Sequence, residues 1–143
     1  MNDTDAIAMA LASGIAAFEA KHFSTALRLL TPLAEAGDAE AQYRVAIMLQ
    51  NGLGVVADGA RALALMQAAA TQGLALAQHG LGFMYLQGEA EPQDSEQALQ
   101  WLGKAAAQGL QGSMTTIAMM YEQGMGVPAD PERAKHWYRR AGF

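Results

Sequence analysis

Shifted by 36 residues, the sequence falls on itself: Gly37 aligns with Gly73 and Gly109, Gly52 with Gly88 and Gly124, and Asp58 with Asp94 and Asp130. The same shift aligns Ala26, Ala62, Ala98 and Ala134, and beside them Leu29, Leu65, Trp101 and Trp137, so the period reaches into the N-terminal segment. A period of this length means one supersecondary unit repeated, each burying its apolar face against the next. About four such units fit into 143 residues. A chain of that length makes one domain more readily than two, so the repeats are expected to share a single core.

Each unit reads as two helices. In the second, apolar columns fall at i, i+3, i+4 and i+7 (Ala62, Leu65, Met66, Ala69; Ala98, Trp101, Leu102, Ala105; Ala134, Trp137, Tyr138, Ala141), one face of an α-helix that must be buried. In the first, the recurring set is Ala41, Val45, Met48 and Leu49, matched by Ala77, Leu81, Met84 and Tyr85 and by Ser113, Ile117, Met120 and Tyr121. Ala46, Gly82 and Ala118 are small enough to let a partner helix approach. Alanine swells the 52% hydrophobic share and prolines number only four, which leans the whole chain toward helix.

The punctuation agrees. Asp58, Asp94 and Asp130 stand where an N-cap accepts a backbone N–H at the start of the second helix, and Pro131 follows at the favoured first helical position. Asp94 with Gln97 resembles a capping box. Gly37, Gly73 and Gly109 fit the left-handed residue that closes a helix. The fold class predicted is all-α, a right-handed α-α superhelix of helix-turn-helix repeats.

The segments Gly52-Leu53-Gly54-Val55-Val56-Ala57-Asp58 and Gly124-Met125-Gly126-Val127-Pro128-Ala129-Asp130, together with Lys104-Ala105-Ala106-Ala107-Gln108-Gly109, resemble the Sel-1-like repeat, a relative of the tetratricopeptide repeat. The resemblance covers roughly residues 39 to 143, divided as 39–74, 75–110 and 111–143. Residues 1–38 read as a degenerate tetratricopeptide-like unit with a shorter inter-helix connection, in which Gly14, Phe23 and Ala26 fit the tetratricopeptide pattern better. The middle loop, Gly88 to Asp94, has lost the second glycine and the valine and gained Glu89 and Glu91, so a different shape is expected there.

The resemblance implies a non-catalytic scaffold or adaptor that gathers other proteins, often in bacterial signalling, envelope assembly or host interaction. By similarity to the tetratricopeptide pattern, the first helices would line a concave face. Its outward positions are Tyr43, Ile47 and Gln50, then His79, Phe83 and Leu86, then Thr115, Met119 and Glu122, with Leu11, Ile15 and Phe18 extending the row. Ile47, Phe83 and Met119 would then form an apolar stripe suited to a protein or peptide partner. The alternative is that neighbouring first helices bury these side chains; exposures below about a tenth would remove the groove. The chain stops just past Trp137 and Tyr138 at Phe143, which predicts an apolar end free to contact a partner or a second copy. A self-assembling oligomer is therefore the second reading, and a hydrolase the third.

Other chemistry finds little support. There is no cysteine, and His22, His79 and His136 lie in three different repeats with no i, i+4 pair, so neither a metal nor a cofactor is expected. The Gly-x-Gly loops follow helices and lack the Lys and Ser/Thr of a phosphate cradle. Ser13, Ser24, Ser95 and Ser113 belong to no nucleophile motif. Met48, Met84 and Met120 share the phase of the core columns and read as core filler rather than a soft-metal site. A net charge of −5 repels a phosphate backbone, which argues against nucleic acid. Arg133, Lys135, His136, Arg139 and Arg140 gather in the last helix, either complementing its negative end or docking an acidic partner. Asp3 and Asp5 stand where a secretory signal needs positive charge, and no apolar run is long enough to span a membrane, so a cytoplasmic protein is expected.

Overall fold

The computed structural model describes residues 2–88 and 94–143. Among these residues the chain is all helical: α1 (Asp3–Glu19), α2 (Phe23–Glu35), α3 (Ala39–Asn51), α4 (Gly59–Thr71), α5 (Ala75–Gln87), α6 (Ser95–Ala107), α7 (Gln111–Gln123) and α8 (Pro131–Arg140). The period is visible in the helix starts: α1, α3, α5 and α7 begin 36 residues apart, and so do α2, α4, α6 and α8. The first pair obeys the same spacing but has the shorter connection that its sequence suggests. The middle loop with its altered composition lies, from Glu89 to Gln93, outside the described residues.

The caps explain why the helices start and stop where they do. Asp58, Asp94 and Asp130 adopt nearly the same extended backbone, and each carboxylate accepts from the N–H three residues on, that of Arg61 (3.1 Å), Gln97 (3.0 Å) or Arg133 (3.1 Å). The backbone N–H groups of these aspartates donate to carbonyls at the end of the preceding helix, Leu49 (2.9 Å), Tyr85 (2.8 Å) and Tyr121 (2.9 Å). The acceptor half of the capping-box expectation holds at Asp94, while its reach-back half is corrected: the Asp94 N–H that Gln97 would reach donates to the Tyr85 carbonyl. At the other end, Gly37, Gly73 and Gly109 have φ of +103°, +99° and +90°. The N–H groups of Gly109 and Leu110 return to the Ala106 and Ala105 carbonyls, the Schellman closure that satisfies a helix's last acceptors.

The helices form two compact units, Met1–Gln72 and Gly73–Phe143. In the first, α1 packs on α2, α2 on α3, and α3 on α4; in the second, α5 packs on α6, α6 on α7, and α7 on α8. Within each unit, contact between sequence neighbours is what a repeat architecture produces. Met48, Met84 and Met120 are buried with the core columns, as filler should be. Gly82 earns its place: a Cβ there would lie 2.7 Å from Leu102 Cγ and 3.3 Å from the Ala98 carbonyl oxygen. Trp101 and Trp137 sit only part-buried at the edge of the second-helix face, capped by Lys104 (4.3 Å) and Arg140 (4.5 Å) over their rings.

Each unit also holds a polar clasp. Gln72 Nε2 donates to the Gly37 carbonyl and to Gln42 Oε1, both at 2.9 Å, and Gln42 Nε2 reaches the Ala34 carbonyl at 3.2 Å. In the second unit Gln108 Nε2 donates to the Gly73 carbonyl (2.8 Å) and to Gln78 Oε1 (2.9 Å). Gln42 and Gln78 are buried, where an amide without partners would cost about 1–3 kcal/mol. The clasp ties the end of a second helix to the turn that opens its repeat.

Candidate functional site

The first unit places Leu11, Ile15 and Phe18 on α1 and Tyr43, Ile47 and Gln50 on α3, all part-buried. Their neighbourhood is less apolar than the column implies. The Arg44 guanidinium lies 5.3 Å from the Phe18 ring centre and 5.9 Å from that of Tyr43, and approaches Glu19 and Glu40 at 3.9 Å each, with only 15% of its side chain exposed. Those separations are charge contacts rather than hydrogen bonds. Burial pushes the Tyr43 phenol above its ordinary range, Glu40 adds to the shift and Arg44 opposes it. Phe18 also meets Phe23 edge-on at 5.9 Å, so its ring is braced on two sides.

The second unit contains an apolar recess of about 140 Å³, lined by Phe83, Leu86 and Gln87 of α5, Thr116 and Met119 of α7, and Met125 just beyond. Three of the twelve row residues meet here: Phe83, Leu86 and Met119. Leu86 contributes as floor, being 5% exposed and part of the core cluster with Leu102, Ile117 and Met120, so its outward position in the row is corrected. Met119 is 41% exposed at the mouth. Thr115 stands outside the lining, its hydroxyl donating to the Gln111 carbonyl (3.1 Å), while Thr116 takes the place in the recess and donates to the Gly112 carbonyl (2.8 Å). Phe83 and Met119, equivalent in the repeat, both line the recess, but adjacent residues of a helix point in different directions, so Thr116 enters the lining where Thr115 does not. Gln87 and Thr116 were missed because they lie outside the chosen columns, one helical turn from Phe83 and Met119, and Met125 because it lies in the loop beyond α7.

His79 lies outside this lining and is tied down. Its Nδ1 is 2.7 Å from the hydroxyl of buried Ser113, and its ring tilts against Phe83 at 4.9 Å between centres. Burial holds its pKa below the ordinary 6.5, so the fold prefers the neutral imidazole. The unfolded chain then binds the proton more readily than the native one, and stability falls as pH drops through 6.5 toward the folded pKa. We expect chemical denaturation midpoints of wild type and His79→Gln to converge or cross on going from pH 8 to pH 5.5, with the histidine protein losing more. Parallel pH profiles would contradict this assignment.

Among the described residues no group of three His, Asp or Glu side chains is placed to hold a metal ion, and no helix is long and apolar enough to cross a membrane. Trp137, Tyr138 and Phe143 gather at the end of α8. Tyr138 and Phe143 meet edge-on at 6.0 Å, and Phe143 remains 80% exposed. Glu122, exposed on α7, stands beside the Tyr138 phenol, whose pKa is raised by partial desolvation and by this carboxylate. Lys135 and Arg133 pair with Glu132 (3.8 Å) and Asp130 (3.5 Å) of their own helix end, while Arg139 and Arg140 occupy its last turn, where they complement the helix dipole.

The repeat geometry and the three glycine-aspartate loops correspond to a known unit: the Sel1 repeat model matches residues 39–74, 75–110 and 113–142. The chain belongs to the Sel1 repeat family. No curated protein matches the chain. Among solved structures, this Sel1 repeat protein is similar to a Sel1 repeat protein from Oxalobacter formigenes, at 27% identity and a TM-score of 0.82 over 92% of this chain and 54% of that one. It is also similar to a protective antigen of uropathogenic Escherichia coli strains that displays an SLR fold, at 26% identity and a TM-score of 0.88 over 97% of this chain and 31% of that one. The chain thus spans about half and about a third of the lengths of these two relatives. Their likeness extends to the fold of paired helices at a 36-residue period. Sel1 repeats commonly mediate protein interactions.

Proposed function

We propose that this Sel1 repeat protein is a non-catalytic interaction module that binds a protein or peptide on its first helices, with the recess between α5 and α7 as the principal anchor point. The observation that carries this reading is the recess itself: an apolar concavity with a half-open methionine at its mouth and amide and hydroxyl groups at its wall. Such a site takes up an apolar side chain and has no nucleophile, acid-base pair or metal cage for turnover. The part-buried side chains of α1 and α3, Phe18 and Tyr43 with Arg44 between them, offer a second contact region in the first unit.

The test compares partner capture by wild type, by Met119→Arg and by Val56→Arg, a control at an exposed loop position. Loss of the captured partner in the Met119 variant alone, with circular dichroism unchanged, is the expected outcome. Equal capture by all three would remove the recess from the function. A second reading, self-association through the C-terminal aromatics, is favoured by the exposed Phe143 ring. It requires that light scattering at about 100 μM show dimers that Phe143→Ser abolishes.

A further inference from the structure

The recess lies at an electrostatically one-sided place. Phe83, Leu86 and Gln87 belong to the last turns of α5, which ends at Gln87, and Met119 sits near the end of α7, which ends at Gln123. The C-terminal end of a helix carries about half a negative charge, normally offset by a basic residue in the last turn. Neither α5 nor α7 has one, whereas α8 has Arg139 and Arg140. α5 contains no Asp, Glu, Lys or Arg at all, and the single charged residue of α7 is Glu122, exposed, outside the lining, one helical turn from Met119 and beside the Tyr138 phenol. Arg133 of α8, which packs on α7, is engaged by Asp130 and by the Tyr121 hydroxyl at 3.2 Å. A space close in size to the roughly 150 Å³ apolar cavity that admits a benzene-sized guest thus lies beside two helix C-termini that carry no basic residue in their last turns.

We propose that the recess selects a partner segment in which an aliphatic side chain stands beside a basic one, the alkyl group filling the space among Phe83, Leu86, Thr116 and Met119 and the cation resting at the ends of α5 and α7 beside Glu122. This rests on the recess being the docking site. Exposed Gln87 at the rim supplies an amide for the segment's backbone. An acidic segment would meet both helix ends and Glu122 with like charge, and a purely apolar one would leave them unmatched.

The experiment titrates the full chain with n-hexylammonium and, separately, n-hexanoate, which share an alkyl chain and differ in charge, while the Met119 and Met125 methyl signals are followed by NMR. The expected result is saturable shifts of both methyls with hexylammonium binding about fivefold or more tightly than hexanoate, the ratio shrinking at 1 M salt. In Glu122→Gln, an isosteric change that keeps an acceptor for the Tyr138 hydroxyl, the preference should fall by at least half. Equal binding of the two probes, or a preference untouched by E122Q, overturns cation selection while leaving the docking reading in place. No methyl response to either probe overturns both.

Discussion

Leu102→Ala is expected to lower the stability of the second unit by about 2–5 kcal/mol, the cost of a buried leucine whose cavity only partly collapses. Leu102 is fully buried in the cluster formed with Ala98, Ala106, Ile117 and Met120. Against a typical domain stability of about 5–15 kcal/mol, such a loss leaves this unit marginal. Both tryptophans, Trp101 and Trp137, belong to the second unit, so their fluorescence in a urea titration reports its unfolding directly. The same site contains a compensating partner. Gly82→Ala alone gains about 1 kcal/mol of helix propensity and loses about 1–3 kcal/mol by pressing a methyl into Leu102 and the Ala98 carbonyl. With Leu102 already truncated the side-chain clash is gone, and Gly82→Ala should become less destabilising or stabilising. Simple additivity of the two changes would show that Gly82 is not there to admit Leu102.

The second large effect is expected in the loop after α7. Gly124 and Gly126 both have positive φ, +69° and +72°, so alanine at either costs about 1–2 kcal/mol of backbone strain. Gly124 has ordinary space around it, its nearest neighbours standing 3.5 Å from a Cβ, and Gly124→Ala should cost little more than that strain. A Cβ at Gly126 would lie 1.7 Å from Ser95 Oγ and 2.2 Å from Ser95 Cβ. Rotation of the hydroxyl relieves the first contact but not the second, so backbone must move, and Gly126→Ala should cost about 2–4 kcal/mol in all. Gly54 presses in the same way on the start of α2, with Phe23 Cβ at 2.9 Å and the Ser24 nitrogen at 3.2 Å. Denaturation midpoints for the two alanine variants in the last loop separate the contributions, and equal losses would mean that the loop does not need its close approach to α6.

The elements most legible in the sequence are those set by local chemistry. Asp58, Asp94 and Asp130 cap helices because a carboxylate placed there serves the same N–H in every repeat, and Gly37, Gly73 and Gly109 close them because the left-handed turn excludes a side chain. The buried methionines and the small column at Ala46, Gly82 and Ala118 follow from periodicity alone. Less legible was whatever depends on which flank a helix turns toward its neighbour. Thr116 rather than Thr115 lines the recess, Leu86 sinks into its floor, and Arg44 settles between Phe18 and Tyr43. The glutamine clasp had a signal that a search for apolar columns passes over: the 36-residue shift aligns Gln42 with Gln78 and Gln72 with Gln108.

The proposed function anchors partners at the recess of the second unit. Its most direct test is a photo-crosslinking residue at position 119, whose side chain is already half open, compared with the same residue at position 56 in the exposed loop after α3. Irradiated in the source cells, the protein should form a discrete cross-linked species from position 119, absent from position 56 and lost when Phe83→Arg is added. Indistinguishable cross-linking from the two positions, or products at 119 that Phe83→Arg leaves intact, would contradict it.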